Sequence, residues 1–226
     1  MIPYKLVRSR RKTVAIHITK DATVEVRAPL KMPKAEIDRF VTEKEKWIET
    51  HLTRRKKLNN EKDLFTLNYG DIIFLRGKTY YIRVRDGTNA GFDGECFYLP
   101  PNLNLDTLKR TVVQIYKKMA HPIIKNSVSQ YSKRMNITPA AVHITSAKTR
   151  WGSCSGKNSI NFSWRLVMAG DDVIDYVVVH ELAHIKEHNH SLRFWAIVKS
   201  VLPDYKDRQK ELKLLQKQLT VQDWDW

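Results

Sequence analysis

Cysteine is nearly absent from this chain of 226 residues: Cys96 and Cys154 are the only two. So small a number, so widely spaced, does not suggest a disulfide framework. Long apolar runs are missing as well, and no stretch approaches the ~20 residues that a bilayer-spanning helix needs. Met1-Ile2-Pro3-Tyr4-Lys5 lacks the apolar segment of a secretory signal. There is no internal repeat and no low-complexity tract. These absences argue against a disulfide-stapled domain, a membrane protein and a repeat array. The expectation is a soluble, cytoplasmic protein with no membrane partner, long enough to bury a sizeable core in one or two domains. Acidic residues are also scarce, with 24 Asp and Glu against 40 Lys and Arg, a formal net charge of +16. Such a surplus attracts polyanions in general. It is spread over Arg8-Ser9-Arg10-Arg11-Lys12, Arg54-Arg55-Lys56-Lys57, Lys109-Arg110, Lys117-Lys118 and residues 206–218, and no recognised nucleic-acid motif accompanies it. Solvated helix faces explain most of the charge, with DNA kept as a candidate partner of the basic surface.

What the chain does have is a concentration of histidine. Four of its eight histidines fall between His180 and His190, around His180-Glu181-Leu182-Ala183-His184. Residues four apart on a helix share a face, so His180 and His184 can point two imidazoles at one metal ion, with Glu181 close enough to serve as general base. The segment 171–188 reads as a helix, with Asp171 or Asp172 as its N-cap. Val173, Ile174, Tyr176, Val177, Val178, Val179, Leu182, Ala183 and Ile185 cover almost its whole circumference, the pattern of a buried helix. Placing two histidines and a glutamate there is unfavourable unless they are paired or metal-bound. A core helix whose histidines merely meet backbone would leave Glu181 without a reason.

A catalytic zinc site has three protein ligands and an open position. His190 is the first candidate for the third ligand, with a turn near Asn189 in the left-handed conformation and Ser191 capping a helix over 192–201. His188 lies one turn beyond His184, about 12 Å along the axis from His180, and Glu211 sits in a Lys/Arg-rich amphipathic stretch. The spacing follows the long pattern H-E-x-x-H-x-x-G-x-x-H, except that Glu187 occupies the glycine position and no methionine follows His190. Cys154 as a fourth ligand would instead suit a zinc-stabilised, non-catalytic nucleic-acid module.

Elsewhere, strands are expected over 4–8, 13–19 and 23–27, followed by a helix over 33–57 and a linker at 59–62. A small antiparallel meander over 65–99 would complete an N-terminal β-rich portion, residues 1–100. The second portion, 101–226, would begin with a helix capped by Asp106, bent at Pro122 and ending near Met135. Strands over 141–147 and 159–166, around a loop at 148–158, precede the metal helix. Either strand could offer an edge to an extended peptide, and in the second Asn161, Ser163 and Arg165 share one face, making Asn161 and Arg165 candidate substrate contacts. Arg150 is a candidate for stabilising the oxyanion of a tetrahedral intermediate. The fold class is α+β.

Arg150-Trp151-Gly152-Ser153-Cys154-Ser155, Asn161, Arg165-Leu166-Val167, the run 175–184, Asn189-His190-Ser191, Phe194-Trp195 and Leu202-Pro203 together resemble the YgjP-like metallopeptidases, zincins related to SprT-like proteins. Val7-Arg8-Ser9-Arg10-Arg11-Lys12 and Val26-Arg27-Ala28-Pro29 extend the likeness to nearly the whole chain. The resemblance implies a zincin core, Zn2+ on His180, His184 and His190, Glu181 as catalytic base, and protein or peptide substrates. Through the SprT-like relatives it also implies a DNA-dependent protease as the alternative.

Overall fold

The computed structural model describes residues 2–63, 65–220, 222 and 224. The chain forms two compact units, Met1–Phe65 with Leu219–Asp223, and Thr66–Gln218 with Trp224–Trp226. The architecture is α+β, with three small mixed sheets among the described residues. The division falls near residue 65, so the expected boundary at 100 lies inside the second unit. The physical reason is that Arg76 and Gly77 donate their backbone N–H groups to Val167 and Met168 at 2.7 and 3.3 Å, while Tyr116 donates to the Phe74 carbonyl at 2.5 Å.

In the first unit, β1 (Lys5–Ser9), β2 (Ala15–Ile18) and β3 (Val24–Pro29) precede α1 (Lys34–Glu43) and α2 (Glu45–Asp63). Strand β3 is central, parallel to β1 and antiparallel to β2, so this sheet is not antiparallel throughout. Its alternate residues Val24, Val26 and Ala28 are buried together with Ile37, Val41 and Ile48, the period of two meeting the period of 3.6. The single helix expected over 33–57 is broken at Lys44, whose N–H is shared between the carbonyls of Phe40 and Val41. Helix α2 then runs through the expected linker, where Asn59 donates to the Lys20 carbonyl at 2.8 Å.

The second unit begins with β4 (Ile72–Leu75), β5 (Lys78–Val84), β6 (Gly91–Phe92) and β7 (Phe97–Leu99) in the order β4-β5-β7-β6, with β5 and β7 parallel. Helix α3 (Leu105–Met135) starts earlier than expected because Asn104, rather than Asp106, caps it, accepting from the Thr107 N–H at 2.8 Å. Strands β8 (Ala141–Thr145), β9 (Gly152–Cys154) and β10 (Ser159–Ser163) follow. Strand β10 is central, parallel to β8 and antiparallel to β9. It is therefore no edge, and the free edges belong to β8 and β9. After Ser163 the chain tightens into a 3-10 turn, Trp164–Met168, instead of continuing as strand. Helices α4 (Asp171–Lys186), α5 (Leu192–Val201) and α6 (Tyr205–Thr220) complete the unit. No described helix is long and apolar enough to cross a membrane.

Candidate metal centre

Helix α4 is buried on most of its circumference, from Val173 and Ile174 through Val177, Val178 and Val179 to Leu182 and Ala183. Gly170 rather than Asp171 or Asp172 occupies its N-cap, without a side-chain bond. Asp171 instead pairs with both Arg76 donors at 2.7 and 2.6 Å. Asp175 ties the helix to α3, accepting from Ser127 at 2.6 Å and Tyr131 at 3.0 Å.

At the other end of α4, His180, His184 and His190 each bring one ring nitrogen to within 4.8 Å of the other two. The helix ends because Glu187 is extended, φ −141° and ψ 103°. Any residue adopts that backbone, which explains how glutamate stands at the glycine position of the long motif. The Glu187 carbonyl lies 3.1 Å from His184 Nδ1. A carbonyl can only accept, so Nδ1 carries the proton and Nε2 presents a bare lone pair. The return to His190 does not use a left-handed Asn189, which is not among the described non-glycine residues with positive φ. Asn189 Oδ1 accepts from the Ser191 N–H at 3.0 Å, and Ser191 Oγ caps α5 by accepting from Phe194 N–H at 3.3 Å. Phe194, fully buried, packs on the His184 ring at 4.5 Å. Trp195 stacks between His190 at 5.7 Å and Tyr205 at 5.3 Å. Nothing in its residue type or spacing marks Trp195 in the sequence as the backing of His190.

His188 and Glu211 are exposed and stand outside the cluster. Cys154 also lies outside it, and its thiol pKa is pushed up by burial and by the charge of Glu181. That favours the neutral thiol over a thiolate ligand.

The electrostatics suit a cation. Burial, with smaller contributions from His184 and His190, depresses His180 to about 3, and burial also lowers His184. Nε2 of His180 and Nε2 of His190 stand 3.1 Å apart. Such a pair is bridged either by the N–H of one neutral ring or by a cation, and the depressed His180 keeps its ring neutral, the form that binds a metal. Tetrahedral ligands about 2.0–2.1 Å from zinc would be roughly 3.3 Å apart, close to the spacing of the His180–His190 pair. His180 Nδ1 is buried with no hydrogen-bond partner.

Glu181 is 6% exposed. Burial raises its carboxyl to about 7, with Arg150 pulling the other way. Arg150 is exposed, two residues before β9, near enough for its charge to reach Glu181. A cavity of about 150 Å³ beside His180 and Glu181 is lined by Trp151, Gly152, Tyr176, Val177 and Leu212. The two expected substrate contacts differ in their surroundings. Arg165 is buried and donates to the carbonyls of Ser146, Ala147 and Trp224, with its guanidinium over the Trp164 ring. Asn161, on the central strand, lies opposite Ser153 and donates to its hydroxyl at 3.4 Å.

The model of the family described as YgjP-like, metallopeptidase domain, matches residues 12–214. Among solved structures, the metallopeptidase zymogen abylysin of Pyrococcus abyssi is 22% identical, over 39% of this chain and 90% of that one, with a TM-score of 0.37. The metallopeptidase zymogen jannalysin of Methanocaldococcus jannaschii is 26% identical over 42% and 96%, again with a TM-score of 0.37. No curated protein matches the chain.

Proposed function

Because the chain belongs to the YgjP-like metallopeptidase family, we propose that it hydrolyses peptide bonds with Zn2+ held by His180, His184 and His190 and with Glu181 as the general base. The convergence of three imidazole nitrogens within 4.8 Å carries this reading. Neutral imidazoles suit zinc, and a three-histidine set leaves a position for substrate or water. When bound, the metal supplies Lewis-acid charge and makes water nucleophilic near neutral pH. Glu181, one residue from His180 on the same helix, then accepts the proton of the attacking water and returns it to the leaving amine. Arg150 offers an exposed positive charge for the oxyanion. The free edge of β9 lies alongside this glutamate and can receive an extended peptide as an added strand. The 150 Å³ cavity is about the size that accommodates a benzene ring, and its Trp151, Val177 and Leu212 side suits a Leu- to Phe-sized side chain.

Glu181→Gln is the test. It should retain stoichiometric zinc while peptide hydrolysis falls by about 10²–10⁴-fold. A zinc-loaded variant turning over at the wild-type rate would remove Glu181 from the chemistry.

A second reading, nucleic-acid association, draws on one feature of the first unit. Trp47 is 43% exposed and stacks on His51 at 4.0 Å, on the helix that continues into exposed Arg54 and Lys56. Exposed aromatics stack on bases while cations meet phosphates. Single-stranded DNA binding should weaken by orders of magnitude between about 50 and 200 mM salt and drop on Trp47→Ala. Absence of binding at the lower salt rejects it.

A further inference from the structure

Gly152 is one of the glycines whose φ is not positive. Its backbone suits any residue, so chain conformation does not explain why glycine stands there. The surroundings do. A Cβ built on Gly152 would lie 2.6 Å from Cγ and 2.6 Å from Oε1 of Glu181, and 2.8 Å from its Cδ. Real Cβ atoms do not approach heavy atoms so closely, and something would have to move. Strand β9 is fixed in register, with Gly152 opposite Phe162 and Ser153 opposite Asn161, and Ser163 N–H bonds the Trp151 carbonyl at 2.8 Å. Phe162 is fully buried, which anchors the partner strand. The backbone of Glu181 is held in the buried part of α4 between His180 and Leu182. The part free to yield is the Glu181 side chain.

We infer that Gly152 is a positioning residue, whose missing side chain leaves the slot that holds the Glu181 carboxylate in its working orientation. This rests on the reading of Glu181 as general base. The slot has two sides. The bare Cα of β9 lies against the carboxyl, and the fold of α4 fixes where that side chain starts. An added methyl fills the first side, and the atoms it meets first are those of Glu181.

The two consequences of Gly152→Ala therefore separate. Folding should survive, since the backbone accepts alanine and a flexible side chain can swing aside. Zinc content should stay at the wild-type level, because the atoms nearest the new methyl group all belong to Glu181. Catalysis should fall sharply: displacing a reacting group by about 1 Å is enough for roughly 10²-fold in kcat, with KM held within about threefold. Combining Gly152→Ala with Glu181→Gln should produce no further loss, since the group being positioned is already gone. The companion measurement is a crystal structure of zinc-loaded Gly152→Ala beside the wild type. The carboxyl of Glu181 should be displaced in the variant while the three imidazoles superimpose. An unmoved carboxyl, with β9 having backed away instead, overturns the inference whether or not a substrate is known. So does a variant with wild-type kcat. If the wild type cleaves no peptide at all, general-base peptidase function fails, and the crystallographic comparison still decides whether Gly152 sets the carboxylate.

Discussion

Two of the three sheets are connected alike. In β1-β3-β2 and in β8-β10-β9 the last strand lies in the middle, parallel to the first and antiparallel to the second. Their uses differ. The first buries one face of β3 against α1 and α2 and forms a core. The second buries Ile160 and Phe162 of its central strand and carries, on its short edge β9, the glycine that meets Glu181. A shared pairing scheme thus supports a packing role in one place and a candidate active site in the other. The difference lies in the edge strand, where a side chain is withheld and a carboxylate occupies the space.

The comparison can be tested from both sides. Phe162→Ala in the central strand beneath the site should destabilise the most, by about 3–5 kcal/mol, and should loosen zinc binding along with it. Denaturant unfolding and zinc titration would check both; an intact affinity in the destabilised protein would separate sheet from site. Glu181→Gln in the metal-free protein comes next, and its effect should depend on pH. The folded carboxyl titrates near 7 against a usual value of 4.5, so its stabilising contribution is complete below the lower value and is lost as pH rises through the higher. The glutamine variant should therefore exceed the wild type by about 3 kcal/mol at pH 8 and match it near pH 4.5. A difference that ignores pH in urea unfolding would mean that the buried carboxyl has found another partner. Val26→Ala, in the corresponding strand of the first sheet, should lower stability by about 2 kcal/mol and leave kcat and zinc content unchanged. Ser191→Ala is the smallest, about 1 kcal/mol for a lost helix cap, with a modest rise in zinc dissociation constant through a looser His190.

Much of the metal half was legible because its signal is local. His180 and His184 follow from helical spacing, and Ser191 announced the following helix by its type. The remainder depends on backbone events that no residue type marks. Lys44 interrupts the first-unit helix with neither Gly nor Pro beside it. The three residues of β9 are too few to show alternation, so they passed for loop. Arg165 seemed to lie on an outward face because the period of two was carried past Ser163, where the chain turns into 3-10 geometry and takes the guanidinium inward. Asn189 forms its turn through a side-chain oxygen, a choice that composition does not distinguish from a left-handed backbone. Family membership was readable from the motifs spread along the chain, and the family match over residues 12–214 bears it out.

The Asp175 carboxylate, held by Ser127 and Tyr131, has a mechanical consequence. A helix buried among valines is held by packing that is specific in shape but not directional, whereas a hydrogen bond fixes a direction. Two hydroxyls gripping a single carboxylate act as a key in a keyway and, with the Asp171–Arg76 pair, help fix the azimuth of α4. Further along the same shaft, that angle decides where two imidazoles and a glutamate point. The aim of the chemistry is therefore set partly at a distance, by a contact that touches none of the groups it aligns.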